Sequence, residues 1–145
     1  MMGQQNRSPQ SGDIYVRPEN IGNNNATYIL LVGRGGGPDA CEFGFIPLQV
    51  QIAKFNVAFI NDWTPNSAYY YIDNILKFTK ATDRCRYMLH FNSMRLICKS
   101  KMQQFVEDKV YSFVEQVPSH ILDDIHDKLK RSRQTIPLIV RSIGL

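Results

Sequence analysis

Arg84-Cys85-Arg86-Tyr87-Met88-Leu89-His90-Phe91-Asn92-Ser93-Met94-Arg95-Leu96-Ile97-Cys98-Lys99-Ser100-Lys101 is the stretch whose reading decides the fold. Asn92-Ser93 reads as a two-residue hairpin loop, because asparagine tolerates the left-handed conformation such loops require. On that register Phe91 opposes Met94, Leu89 opposes Leu96 and Tyr87 opposes Cys98. Side chains alternate with period 2, so these residues share one apolar face. The other face receives Arg84, Arg86, Met88 and His90 opposite Lys101, Lys99, Ile97 and Arg95. Its five cations and one histidine have no carboxylate among them. Like charges directly opposite are unfavourable in a sheet. An anion is expected to offset them, either RNA phosphate or an anionic lipid head group. The plainer alternative is a solvated face neutralised by Asp83 or by helix carboxylates.

Upstream of this segment the pattern is one of strands. Tyr28–Val32 is a continuous apolar run of strand length, stopped by Gly33-Arg34-Gly35-Gly36-Gly37-Pro38-Asp39. That glycine stretch lacks the Gly-Lys-Ser/Thr of a phosphate-binding loop and is followed by Pro38, so it reads as a flexible hairpin tip. A second strand is expected at Cys41–Ile46, broken by Pro47, and a third within Leu48–Ile60. Thr64-Pro65 resembles a helix start, and the helix is expected through Asn66–Ala81, with Lys77 and Lys80 near its end. Downstream, Met102, Phe105, Val106, Val110, Phe113 and Val117 have the spacing of an amphipathic helix. Pro118 ends it and Ser119 caps another, whose Ile121, Leu122, Ile125 and Leu129 face inward. Ile136–Leu145 packs back on the domain. The succession β-β-β-α-β-β-α-α is that of a single α+β domain with an antiparallel sheet and about three helices. It is expected to span residues 27–145, after a flexible polar tail at 1–26 in which Ile14-Tyr15-Val16 could dock as an edge strand.

The 145 residues carry 17 Lys+Arg against 13 Asp+Glu, a net +4 that permits an acidic partner without demanding one. The three cysteines, Cys41, Cys85 and Cys98, stand at no metal-ligand spacing, which argues for a reducing compartment. The first residues have no apolar run of the kind an ordinary secretory signal carries, so secretion is not expected. His120 and His126 fall on different faces of a helix and make poor co-ligands, and no serine motif resembles a nucleophile elbow. No catalytic residue, metal or cofactor is expected, and the protein reads as a non-enzyme.

A second basic cluster, Lys128-Leu129-Lys130-Arg131-Ser132-Arg133, follows Asp123, Asp124 and Asp127 on one helix. Acids first and bases last is also what the helix dipole favours. Tyr69, Tyr70 and Tyr71 on a helix must point three ways, so with Trp63 they are the candidate contacts of a homo-oligomer.

Several features recur in a recognisable order. A first strand ends in glycines at Val32–Gly37, and Phe43-Gly44-Phe45-Ile46-Pro47 closes a second strand. Phe55–Asp62 ends in an acidic turn, Tyr69–Leu76 is rich in tyrosine and isoleucine, and Arg86-Tyr87-Met88-Leu89 precedes the Phe-Val segment Met102–Val117. This order resembles the small basic matrix proteins of non-segmented negative-strand RNA viruses, especially those of bornaviruses. The resemblance implies a structural protein of the virion and of the host-cell cytoplasm or nucleus. Such a protein would self-assemble, contact other viral proteins, and bind RNA and anionic membrane through a basic surface. The residues it would use are Arg84, Arg86, Arg95, Lys99 and Lys101, with Lys128, Lys130, Arg131 and Arg133. A cellular nucleic-acid-binding or protein-interaction adaptor is the alternative.

Overall fold

A computed structural model describes residues 8–20, 27–34, 42–54, 63–73 and 83–145. Seven strands form one sheet: β1 (Asp13–Val16), β2 (Thr27–Val32), β3 (Glu42–Lys54), β4 (Tyr69–Asp73), β5 (Asp83–His90), β6 (Arg95–Cys98) and β7 (Ser112–Gln116). Among the described residues three α-helices accompany it: α1 (Lys99–Glu107), α2 (Ser119–Arg131) and α3 (Pro137–Ser142). The strand order is β4-β5-β3-β2-β1-β7, with β6 also on β3, and every pairing is antiparallel. This is the expected α+β domain.

Its topology differs from the expected hairpin. β5 and β6 do not pair with each other; both lie on the same edge of β3, in line. Leu48↔Leu89 through Lys54↔Asp83 join β3 to β5, and Glu42↔Cys98 through Phe45↔Arg95 join it to β6. Between them Phe91–Ser93 makes a single 3₁₀ turn, closed by Met94 N–H donating to the Phe91 carbonyl at 3.3 Å. A two-residue hairpin needs positive φ, and among the described non-glycine residues only Lys109 has it. Phe91 and Met94, which a hairpin would carry to its tip, are instead buried in the core at 0% and 5% exposure. Pro47 sits where the ladder is interrupted: neither Ile46 nor Pro47 has a partner in β5 or β6. A residue without an N–H is tolerated inside a strand at such a gap.

The in-line arrangement also removes any Cys85–Cys98 disulfide. Their β3 partners are Ile52 and Glu42. Ten strand residues separate those partners, about 33 Å at the rise of a β-strand, against the ~6 Å a disulfide spans.

Alternation sorts the side chains into two layers. Ile14, Val16, Tyr28, Leu30, Val32, Ile46, Leu48, Tyr70, Ile72, Tyr87 and Leu89 face α2 and α3, meeting Ile125, Leu129, Val140 and Ile143. On the opposite face Tyr15, Ile29, Leu31 and Phe43 pack with Met102 of α1. Leu89 is wholly buried, whereas Leu96 of β6 is 38% exposed. Leu89→Ala is therefore expected to cost about 2–5 kcal/mol, and Leu96→Ala less than about 1 kcal/mol. Urea denaturation of the two variants checks the difference.

Two further expectations are corrected. Asn66–Ala81 does not begin as a helix. Thr64 opens a turn, with Ser67 N–H donating to its carbonyl at 2.9 Å, and Tyr69–Asp73 is a strand. Tyr70 and Ile72 enter the core with period 2, which suits aromatic and β-branched residues. Met102–Val117 is not one helix. α1 ends in a left-handed cap at Lys109 (φ 59°), where Val110 N–H reaches the Phe105 carbonyl (2.8 Å) and Lys109 N–H that of Val106 (3.1 Å). Phe113 and Val114 then alternate as β7. Ile14-Tyr15-Val16 docks as a strand, but inside the sheet instead of at its edge. Asp13–Val16 lies between β2 and β7, buried throughout, with the Asp13 carboxylate accepting from Gln10 N–H (3.0 Å) and Tyr15 O–H (2.9 Å). Residues 1–7, Cys41, Gly35–Asp39, Phe55–Asp62, Lys77 and Lys80 lie outside the described residues.

Candidate functional site

Strand alternation builds a row of polar and aromatic side chains on the α1 side of the sheet. In β5, Tyr87 and Leu89 point to the core, so Arg86, Met88 and His90 point the other way. The pairs Tyr69↔His90 and Tyr71↔Met88 place Tyr69 and Tyr71 beside them, while Tyr70 is buried. The His90 ring meets Tyr69 edge-on at 5.0 Å, and the Arg86 guanidinium lies 4.0 Å over the Tyr71 ring. The three tyrosines thus split between two faces, Tyr70 in the core and Tyr69 and Tyr71 on the other side.

The row continues past the 3₁₀ turn. Arg95 pairs with Phe45, which packs on the α1 side, so Arg95 shares the face of Arg86. Met88 pairs with Gln49, four residues along β3, which puts Arg95 about 13 Å beyond Met88. Lys99 and Lys101 are not strand residues opposite Arg86 and Arg84. They occupy the first turn of α1, both exposed, with the Lys101 ammonium 4.9 Å over the Phe105 ring. Cations at a helix N-terminus oppose the helix dipole, so an anion there would be favourable. Burial holds His90 below its ordinary pKa of 6.5, leaving the positive charge of the row to the arginines and lysines. In the backbone register Asp73 is the cross-strand partner of Arg86. Arg84 lies on β5, two residues before Arg86.

The second basic cluster divides. Lys128 binds Asp124 at 3.0 Å and Asp127 at 3.8 Å, and Arg131 binds Asp127 at 3.1 Å. Both cations also face Trp63, at 5.6 and 5.5 Å from its ring centroid. Trp63 meets Tyr70 edge-on, and the Tyr70 hydroxyl donates to the Asp124 carboxylate. Trp63, Tyr70, Lys128 and Arg131 therefore tie α2 to the sheet within one chain. Their spacing on α2 puts the i,i+4 acid–base pairs on the side that meets the tryptophan.

Lys130 and Arg133 remain exposed, and tertiary structure adds Arg141 of α3 to them. In the chain between Arg133 and Arg141, Ile136 and Leu138 stand 58% and 65% exposed, the most exposed large apolar residues described. A cavity of about 330 Å³ opens beside them, walled by Lys130, Ser132, Thr135 and Arg141 over Leu129 and Val140. Arg141, Ile136 and Leu138 were not among the candidate residues. The available signal was the run after Asp127, where Lys128, Lys130, Arg131, Arg133 and Arg141 contribute five cations and no Asp or Glu occurs.

His126 is structural. It is 3% exposed, and its Nε2 accepts the Gly33 N–H at 3.0 Å. Desolvation, Arg34 and Lys130 outweigh Asp123 and hold its pKa down to about 4. His120 is exposed, so the two histidines do not converge. Among the described residues no group of three or more side chains could hold a metal ion.

No protein-family model, curated protein or solved structure matches the chain. The surfaces described above therefore carry the functional argument on their own geometry. Among the described residues no helix is long and apolar enough to cross a membrane.

Proposed function

We propose that the chain is a non-enzymatic, self-associating structural protein of matrix type that binds RNA and acidic membrane through its basic surface. The observation that carries this reading is the row of Arg86 on Tyr71, His90 against Tyr69, then Arg95, Lys99 and Lys101. Rings offered beside cations on an antiparallel sheet suit single-stranded RNA, whose bases stack and whose phosphates pair. Self-association would use the two ends of the strand order, β4 and β7.

Fluorescence anisotropy of a labelled single-stranded RNA, titrated across a salt series, tests the reading. Each phosphate contact contributes about −0.7 to the log–log slope, so four contacts give roughly −3. The triple variant Arg95→Ala, Lys99→Ala, Lys101→Ala alters exposed side chains only and should flatten the slope by about 2. An unchanged slope removes the row as the RNA site. Tyr69→Ala should weaken binding at every salt concentration without altering the slope, because stacking releases no counterions. Light scattering that returns the monomer mass at all concentrations would remove the self-association.

A further inference from the structure

The corner where α2 meets α3 has a composition that folding alone does not require. Single exposed aliphatic residues are ordinary on protein surfaces. Here two of them, Ile136 and Leu138, flank Pro137, which occupies the first turn of α3 and fixes the backbone between them. The preceding loop is tied down from both sides. Arg133 N–H donates to the Pro65 carbonyl at 2.7 Å, the Gln134 side-chain amide to the Asn66 carbonyl at 3.0 Å, and the Thr135 hydroxyl to the Ser132 carbonyl at 3.4 Å. The two aliphatic side chains are thus held outward by a supported turn. Lys130 and Arg141 line one cavity with Thr135 and Pro137, the chain neighbours of Ile136 and Leu138, and Arg133 lies three residues before Ile136. All three cations are exposed, in a stretch with no acidic side chain after Asp127.

Exposed apolar residues close to exposed cations match the chemistry of an acidic phospholipid bilayer. Its head groups meet the charges and its acyl boundary takes the aliphatic chains. The cavity, at about 330 Å³, is lined by the cations Lys130 and Arg141 together with Leu129, Pro137 and Val140, charges beside apolar surface as a phospholipid head group requires. We infer that this corner is the membrane-docking site of the protein, with Ile136 and Leu138 inserting and Lys130, Arg133 and Arg141 binding head-group phosphates. The inference rests on the polyanion-binding function proposed above but uses a different surface from the RNA row. The corner lies on the α2–α3 side of the sheet and the row on the α1 side.

Flotation of the full chain with phosphatidylcholine vesicles, with and without phosphatidylserine, tests it. The unaltered protein floats only with the acidic vesicles. Lys130→Ala, Arg133→Ala and Arg141→Ala together should weaken that binding by about a hundredfold, since each cation near an acidic surface contributes roughly fivefold. Ile136→Ser with Leu138→Ser should abolish flotation, and both variants should keep their RNA affinity. As a check that needs no loss of binding, the Leu138→Trp protein should show a blue shift in tryptophan emission on acidic vesicles. Normal flotation of the serine variant, or no emission shift, overturns the docking site and leaves the RNA reading standing. Failure of the unaltered protein to float overturns membrane binding altogether. Loss of RNA affinity in the cation variant would make the corner an RNA site instead.

Discussion

Acidification from neutral pH to about pH 4 is expected to destabilise the domain by about 3 kcal/mol through His126 alone. The folded state holds this imidazole neutral, because it is almost wholly buried and its Nε2 must accept the Gly33 N–H. A proton on Nε2 would cancel the hydrogen bond and add a third positive charge to those of Arg34 and Lys130, with Asp123 the one opposing charge. The unfolded chain has no such constraint and takes up the proton near pH 6.5. Between about 6.5 and 4 the unfolded state binds more protons, so stability falls as pH falls. Below about 4 both states are protonated and this contribution is fully lost. His90 is displaced in the same direction by burial and adds to the trend. Urea denaturation at intervals across this range measures the effect. His126→Gln keeps an acceptor of similar reach without the titration, and its profile should be flatter by that amount. An unaltered profile would place the acid sensitivity elsewhere.

Gly33→Ala is expected to cost at least about 3 kcal/mol. Gly33 adopts φ +125°, a conformation that L side chains rarely reach. A Cβ there would stand 2.9 Å from Ile143 Cβ and 3.0 Å from the Ile143 carbonyl oxygen, atoms that no rotamer change can move aside. Relief would require α3 to shift, breaking the 2.8 Å bond from Arg34 N–H to the Ile143 carbonyl as well. Backbone strain and overpacking each cost about 1–3 kcal/mol. Gly44→Ala is a useful contrast. Its Cβ would meet only side-chain atoms, of Val32, Ile143 and Met94 at 2.8–2.9 Å, and the flexible Met94 can yield. Thermal or urea denaturation of both variants should rank Gly33→Ala as the more damaging. The Gly33 and His126 effects should also be non-additive, since the two residues share one hydrogen bond.

These two residues join the glycine end of β2 to α2 and α3, and neither role could be read locally. His126 stood in the sequence as one of two poorly spaced histidines, and Gly33 as the start of a flexible tip. The candidate site was legible to a similar degree. Arg84, Arg86, Met88 and His90 were placed on one face of a strand, which for Arg86, Met88 and His90 the burial of Tyr87 and Leu89 bears out. Arg95 joined them through an in-line strand instead of a hairpin. Lys99 and Lys101 came to a helix start, and Lys128 and Arg131 were taken up by acids and by Trp63.

What the sequence by itself determined is the local alternation and the class. Period-2 patterning decides that Arg86 and Tyr87 point opposite ways, and the Ile121–Leu129 spacing makes α2 amphipathic, because both depend only on neighbours along the chain. Tertiary structure decided direction and partnership. Whether the chain turns back at Asn92-Ser93 depended on the core having room for Phe91 and Met94, which join a cluster with Val140 and Ile143 from the far end of the chain. Whether Tyr69–Asp73 is helix or strand depended on the free edge of β5. Whether Asp13–Val16 trails or packs depended on β2 and β7 leaving a slot between them. Each choice is settled by burial against residues distant in sequence, and no local pattern encodes that energy.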